Sequence, residues 1–93
     1  MLRQGARRNL GGFSFFFLRR AAGAPKLGIL VSKKHSRLAT ERNRLKRCVR
    51  EAFRLEQEAL GAVDLLVRPP YGIRPSRDML IRLRRLLQEL AST

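Results

Sequence analysis

Three short segments of the chain have the apolar, aromatic and β-branched composition of strands. They cover residues 13–18 (FSFFFL), 26–32 (KLGILVS) and 63–68 (VDLLVR), and turn-forming residues separate them. The first two segments are close neighbours in the sequence, so we expect them to pair as a hairpin.

Two longer segments repeat their apolar residues with the period of a helix. The first helix is predicted to begin after Thr40, whose side chain suits an N-cap, and to end near Leu60, before Gly61. The second is predicted to begin after Ser76 and to end near Ala91. The order strand, strand, helix, strand, helix predicts an α+β protein, built as a two-layer α/β sandwich.

The chain is expected to contain one domain. Residues 1–12 are basic, contain several glycines and lack an apolar period, so they are predicted to form an irregular lead-in to a single domain over residues 13–93. A chain of 93 residues buries only a small core, which leaves little room for a closed catalytic cleft.

The charge balance points to a polyanionic partner. Lys and Arg number 21 against 7 Asp and Glu, so the net charge is +14, and 17 of the basic residues are Arg. Hydrophobic residues make up 44% of the chain, too many for a disordered basic tail. Because the guanidinium fork fits phosphate oxygens, we expect a folded domain that binds nucleic acid.

Several other classes of protein are excluded by simple counts. The single Cys48 cannot form an internal disulfide, and with the single His35 it cannot complete a four-ligand zinc site. The longest apolar run without glycine, Phe15–Leu18, is too short to span a membrane. We therefore expect a cytoplasmic protein that has no membrane partner and binds no metal or cofactor on its own.

The most informative segment runs from Lys33 to Arg54. It holds nine basic and two acidic residues, a net charge of +7. On a helix, one side would carry Leu45, Cys48, Val49, Ala52 and Phe53, and the other would carry Arg42, Asn43, Arg44, Lys46, Arg47, Arg50 and Arg54. A solvated surface or a membrane surface are alternatives, but repeated like charges four residues apart favour nucleic-acid binding.

The aromatic strand offers a second contact. Strand geometry places Phe13, Phe15 and Phe17 on one face, and Ser14, Phe16 and Leu18 on the other. The face with Ser14 is the less apolar one, so Phe16 is the ring on which a base could stack. The alternative, in which all these rings belong to the core, is left open.

Independent catalysis is poorly supported. The seven acidic residues are scattered, and the single histidine cannot provide a two-histidine acid–base pair. Cys48 is expected in the core, and His35 is expected to be an RNA contact or a bystander. We therefore predict no catalytic residue and no metal-binding residue.

The segment from Lys33, KKHSRLATERNRLKRCVREAFR, resembles the signature of the bacterial ribonuclease P protein component. The family has a Lys-Lys pair after a buried strand, an Arg-Asn-Arg helix, and then Lys-Arg and Arg-Glu-x-Phe-Arg. Here these are Lys33–Lys34, Arg42–Arg44, Lys46–Arg47 and Arg50–Arg54. The resemblance extends over roughly residues 13–91.

The resemblance implies a function and a set of contacts. A protein of this family assists a catalytic RNA, which uses Mg²⁺ to remove the 5′ leader of precursor tRNA endonucleolytically, and a 1:1 complex with that RNA is expected. The residues implied to bind the RNA subunit are Lys33, Lys34, Arg37, Arg42, Asn43, Arg44, Arg47 and Arg54. Those implied to bind the leader are Ser14, Phe16, Lys46 and Arg50.

Two further expectations follow from the resemblance. Met1–Gly5 would be the last turn of a first helix that carries paired aromatics in the family, and Leu2 stands where an aromatic is expected. The sheet would be small and mixed, with a left-handed strand–helix–strand crossover where the general rule predicts a right-handed one. The remaining alternatives are a ribosome-associated or chaperone-like RNA-binding protein and a small metal-dependent nuclease that acts alone.

Overall fold

The computed structural model describes residues 5–92, which form four strands and two helices. The elements are β1 (Ala6–Leu10), β2 (Phe13–Arg19), β3 (Lys26–Ile29), α1 (Ala39–Leu60), β4 (Val63–Arg68) and α2 (Met79–Ala91). The predicted α+β class and its two layers, one sheet and one layer of helices, are confirmed. Neither helix is long and apolar enough to cross a membrane within the part of the chain described.

The strands form one mixed sheet in the order β1-β2-β4-β3. β4 is antiparallel to β2 and parallel to β3, so it separates the two strands that we expected to pair. The predicted hairpin between residues 13–18 and 26–32 is therefore wrong. β2 and β4 are the two internal strands, and Val63, Leu65 and Val67 of β4 are buried on one face.

The hairpin partner of β2 is β1, which the sequence did not predict. Residues 1–12 were expected to be irregular, but Ala6–Leu10 pairs along β2 from Ala6 opposite Phe17 to Leu10 opposite Phe13. The connection is the dipeptide Gly11–Gly12, with φ of 58° and 84°, and positive φ at both positions is what a tight hairpin turn needs. The predicted remnant of a first helix lies over residues 1–5, of which residues 1–4 are outside the described part.

The predicted helix ends were more accurate than the starts. α1 ends at Leu60 before Gly61, as predicted, but it begins at Ala39 with Leu38 as its N-cap rather than Thr40. α2 begins at Met79, later than predicted, because residues 76–79 form a turn in which the Met79 N–H donates to the Ser76 carbonyl oxygen at 3.2 Å.

The core lies between the sheet and both helices. Its sheet side is formed by Phe13, Phe15, Phe17, Val63, Leu65 and Val67, and its helix side is formed by Leu45, Val49, Ala52, Phe53, Leu60, Met79, Leu83, Leu87 and Leu90. Because side chains alternate along a strand, the other face of the sheet is turned away from the helices. α1 connects the parallel neighbours β3 and β4, and the left hand of this crossover stays a prediction.

Candidate nucleic-acid interface

A stripe of polar and basic residues runs along the solvent side of α1. Asn43, Arg47, Arg50 and Arg54, together called the cationic stripe, line one shallow depression with Glu51. Arg54 donates hydrogen bonds of 3.0 and 2.7 Å to the two oxygens of Glu51. These bonds lower the pKa of Glu51, so the carboxylate stays charged and holds Arg54 in place.

A second group of arginines joins α1 to the loop before α2. Arg44 and Arg47 line a cavity of about 350 Å³ with Arg77, and these three residues are called the arginine cluster. Pro75, Ser76 and Cys48 complete the lining, which contains no acidic side chain in the described chain. Partial burial raises the pKa of the Cys48 thiol, which disfavours the reactive thiolate form.

Arg77 was missed by the sequence analysis. It lies in the irregular segment PPYGIRPSR, which is far from the Arg-Asn-Arg motif in sequence and has no helical period that would relate it to α1. The packing of α2 against α1 brings the two segments together. Only the basic composition of that loop could have signalled a role in binding an anion.

The residues between β3 and α1 form a basic loop over residues 33–37. Lys33, Lys34 and Arg37 are exposed there. The Arg42 guanidinium donates hydrogen bonds of 2.9 and 3.1 Å to the carbonyl oxygens of Ser36 and Arg37, so it ties the loop to α1. Arg42 therefore has a structural task in addition to its predicted contact with RNA.

His35 is a buried anchor of this loop. Its side chain is only 4% exposed, so the expected roles as an RNA contact or a bystander do not fit its position. The Ser32 backbone N–H donates to Nδ1 at 2.9 Å, and Nε2–H donates to the Pro69 carbonyl oxygen at 2.9 Å. Both ring nitrogens of His35 are thus hydrogen-bonded to the backbone.

The sheet face turned away from the helices, called the open face, carries the candidate stacking residue. Arg7, Phe16, Leu66 and Gly28 stand opposite one another across the four strands. Phe16 is half-buried, whereas its neighbours Phe15 and Phe17 are buried in the core. The Arg7 guanidinium lies 5.3 Å from the centre of the Phe16 ring.

Ser14 lies one position along the same face and is more enclosed than expected. Its hydroxyl donates to Asn9 Oδ1 at 3.0 Å and accepts from Arg68 Nη2 at 3.4 Å. The side chain is 7% exposed, so Asn9 and Arg68 are the groups that reach solvent around it. The predicted contact of Ser14 with a leader would have to act through these two neighbours.

Phe16, Lys46 and Arg50 do not form one cluster. Phe16 lies on the open face, whereas Lys46 and Arg50 belong to α1, which packs on the opposite face. Lys46 is half-buried, and Arg50 lies within the cationic stripe with residues expected to bind the RNA subunit. A cavity of about 340 Å³ beside Phe16 is lined instead by Lys26 and by Asp64, whose carboxylate pairs with Arg20.

A metal centre is not formed by the part of the chain that the structure describes. Within residues 5–92, no three His, Cys, Asp or Glu side chains are close enough together to hold a metal ion. Two of the buried or half-buried acidic side chains form ion pairs instead: Glu56 pairs with Arg84 at 2.7 Å, and Asp64 pairs with Arg20 at 3.2 Å.

Curated relatives and solved structures resemble this chain. A "Ribonuclease P protein component" of Acinetobacter baylyi is 54% identical over 48 residues, which are 52% of this chain and 37% of the relative. One from Chromohalobacter salexigens is 51% identical over 53 residues, which are 57% and 41% of the two chains. The matched segments therefore span less than half the length of these relatives.

The fold resembles solved structures over nearly its whole length. The RNase P protein from Thermotoga maritima has a TM-score of 0.72 and 27% identity, and the match covers 96% of this chain and 85% of that one. The protein from Staphylococcus aureus has a TM-score of 0.70 and 26% identity, with 97% and 81% covered. The family model described as Ribonuclease P matches residues 1–91. The chain therefore belongs to the ribonuclease P protein family.

Proposed function

We propose that this protein is the protein subunit of ribonuclease P and assists a catalytic RNA in removing the 5′ leader from precursor tRNA. The observation that supports this proposal is that a chain with a net charge of +14 carries two separate surfaces suited to RNA. One surface is cationic and helical, and the other is a sheet face with a half-buried aromatic ring. Membership of the family supports the same function.

The catalytic RNA is proposed to bind the helical surface. The cationic stripe and the arginine cluster share Arg47, so they form one continuous basic region from α1 to the loop before α2. The basic loop extends this region through the exposed Lys33, Lys34 and Arg37. Arginine forks suit the phosphates of a folded RNA, and Asn43 adds an amide that can reach a base edge or a ribose hydroxyl.

The leader is proposed to bind the open face. An unpaired strand needs a surface that accepts any base, and stacking on an aromatic ring meets this need. Phe16 offers the ring, and Arg7 and Lys26 offer cations beside it for the backbone phosphates. Lys46 and Arg50 would contact the part of the leader that passes the β3 edge of the sheet toward α1.

The chemistry is proposed to belong to the RNA. The protein lowers the repulsion between the phosphates of the two RNAs, so the complex should need less Mg²⁺, which the RNA would hold. We further propose a 1:1 complex with the RNA, located in the cytoplasm. The alternative of a ribosome-associated or chaperone-like RNA-binding protein shares the basic surface but predicts no effect on cleavage.

Reconstitution tests the proposal. The protein is combined with the catalytic RNA of a close relative and a precursor tRNA at limiting Mg²⁺, and the rate of leader removal is measured. We expect faster cleavage with the protein, and no cleavage by the protein without the RNA. Unchanged cleavage would favour the chaperone-like alternative, and cleavage by RNA-free protein would favour an independent nuclease.

Charge-matched variants separate a specific surface from general basicity. Arg44 and Arg47 are replaced by Ala in one variant, and the exposed Arg82 and Arg85 of α2 are replaced in a control with the same net charge. Only the first variant should lose the stimulation. For the leader site, Phe16→Ala on the open face and Lys46→Ala on α1 are measured singly and together by the ratio of precursor to mature tRNA affinity, which should fall.

A further inference from the structure

An exposed aromatic residue lies beyond the end of β4. Tyr71 is 59% exposed and Leu30 is 45% exposed, and both line one cavity of about 320 Å³. The remaining lining residues are Ile29, Val31, Ser32, His35 and Arg68. Large apolar side chains that are exposed side by side in one depression are typical of a binding surface.

The Tyr71 ring is held in place by the buried His35. The two ring centres are 4.6 Å apart, with an angle of 52° between the ring planes. His35 is itself fixed by hydrogen bonds to the backbone at Ser32 and Pro69, on two different segments of the chain. Binding a ligand on the exposed side of such a ring costs little conformational entropy.

The charge of the cavity lining suits a nucleotide, whose phosphate is negative. No acidic side chain lines it in the described residues, and Arg68 supplies a cation. Lys33 and Lys34 follow directly after Ser32, a lining residue. A tyrosine ring, an aliphatic side chain and an arginine together suit a flat, apolar base that carries a phosphate.

This cavity is continuous with the open face. Arg68 stands opposite Ser14 in the pairing of β4 with β2, one same-face position (about 7 Å) from the row that contains Phe16. Leu30 directly follows β3, and its backbone N–H donates a hydrogen bond of 2.9 Å to the Val67 carbonyl oxygen. This bond extends the pairing of β3 with β4 as far as Arg68. An unpaired RNA strand that stacks on Phe16 and passes over Arg68 would therefore reach Tyr71.

We propose that Tyr71 is a second stacking site for an unpaired nucleotide of the precursor tRNA leader, beyond the one at Phe16. This rests on the proposed function, because it assigns a further nucleotide to the leader. Tyr71 supplies the stacking surface, and Arg68 attracts the adjoining phosphate. His35 acts as a positioning residue, since it touches the tyrosine ring and not the nucleotide.

Intrinsic fluorescence gives a direct test, because the chain has one Tyr and no Trp. The protein is titrated with a single-stranded RNA of leader length and, as a control, with a duplex of the same length, and the signal is corrected for light absorbed by the bases. We expect quenching of Tyr71 emission by the single strand and not by the duplex. Equal quenching by both, or by neither, would overturn the proposal. Loss of emission on concentrating the protein without RNA would indicate self-association at this cavity and would also overturn it.

A leader-length series tests the same site in the holoenzyme. Precursor tRNAs with leaders shortened one nucleotide at a time are bound to complexes containing the unsubstituted protein, Tyr71→Ala or Tyr71→Phe. Tyr71→Ala should weaken binding about five-fold to about a hundred-fold, but only for leaders long enough to reach the site, and Tyr71→Phe should not. Mature tRNA should bind equally to all three.

The outcomes distinguish the two proposals. If the unsubstituted protein fails to stimulate leader removal, the proposed function fails. If it stimulates removal and Tyr71→Ala retains the unsubstituted length dependence, only the second stacking site is wrong. A loss of affinity in Tyr71→Ala that is equal for mature tRNA and every leader would assign Tyr71 to the catalytic RNA or to folding, and this also overturns the leader site.

Discussion

Arg7 lies over the ring of Phe16, with its guanidinium carbon 5.3 Å from the ring centre. The two residues stand opposite each other in the pairing of β1 with β2, so the contact depends on a strand that the sequence did not predict. A cation above an aromatic face is worth about 0.5–1 kcal/mol at an exposed site. Arg7 therefore keeps a positive charge beside the ring on which a base would stack.

Replacing Arg7 by Ala should weaken binding of the leader without unfolding the protein. The variant loses a phosphate contact, so the dependence of log affinity on log salt should become shallower by about 0.7 for a single strand. Arg7→Lys retains a cation and should keep the slope, and Arg85→Ala controls for total charge. The measurement is the affinity for precursor tRNA across a salt series. An unchanged slope in Arg7→Ala would mean that Arg7 does not contact the leader.

The arginine cluster should contribute to assembly with the catalytic RNA. Arg77→Ala should weaken that assembly and lower the salt slope by about one unit, as should Arg44→Ala, because each removes a phosphate contact. Arg74 lies in the same loop but does not line the cavity, so Arg74→Ala is the matched control. Titration of the RNA subunit at several salt concentrations measures both quantities. Equal effects of Arg74→Ala and Arg77→Ala would show that the cluster is not a distinct site.

The sequence predicted those elements whose side-chain pattern matches their burial. β4 occupies the full predicted range of residues 63–68, and α1 ends where Gly61 indicated. In both cases the apolar period of the element and the position of Gly61, which lies between α1 and β4, indicate the same boundary. The basic side of α1 could be predicted for a similar reason, because its residues repeat with the helical period within a single element.

The missed features depend on contacts between distant segments. Residues 6–10 (ARRNL) have no apolar alternation, and they form a strand because the Gly11–Gly12 turn returns the chain along the edge of β2. The order of the strands depends on which one fills the centre of the sheet. Likewise, Arg77 and Arg44 line one cavity only because α2 packs on α1, and no local sequence pattern predicts that they lie close together.

Gly61 should be required for the end of α1. Its backbone has φ of 72° and ψ of −155°, a conformation that essentially only glycine adopts, while its N–H donates to the Gln57 carbonyl oxygen at 3.0 Å. Gly61→Ala should lower the free energy of unfolding by about 1–3 kcal/mol. The cost comes from the backbone alone, since among residues 5–92 no atom except those of the two chain neighbours lies within 4 Å of the position of an added Cβ.

A substitution by Asn distinguishes this conformation from an ordinary left-handed cap. Asn tolerates the left-handed helical region, where ψ is positive, but not the ψ of Gly61. Gly61→Asn should therefore be about as destabilising as Gly61→Ala in urea denaturation. Full stability of the Asn variant would contradict the backbone account.

Glu56 joins the two helices through a nearly buried carboxylate. Arg84 Nε donates to its Oε2 at 2.7 Å, and Gln88 Nε2 donates to the same oxygen at 3.2 Å. The Glu56 side chain is 8% exposed, against 43% for Arg84. The hydrogen bond from Arg84, with a smaller contribution from Gln88, lowers the pKa of Glu56 below its ordinary value.

This pair should make the stability depend on pH in the acid range. Because the pKa of Glu56 is lower in the folded state, the unfolded state takes up the proton first as the pH falls. The contribution is therefore complete above the ordinary pKa of a glutamate, about 4.3, and is lost as the pH falls through that value and the lower folded one. Glu56→Gln should cost about 1 kcal/mol at neutral pH, at the low end for a charged hydrogen bond because Arg84 is partly solvated. That corresponds to a Tm lower by roughly 4–8 °C.

Glu51→Gln is the matched control for Glu56→Gln, because it removes a carboxylate from the exposed pair with Arg54 on the same helix. Solvent screens that pair, so the control should leave the Tm at neutral pH unchanged. Calorimetry measures the Tm of all three proteins from neutral pH to about pH 3. This range spans the ordinary pKa of a glutamate. The difference between Glu56→Gln and the unsubstituted protein should shrink toward the acid end, because protonation removes the same charge from the native carboxylate. A difference that stays constant with pH would show that Glu56 stabilises the helix pair by its packing and not by its charge.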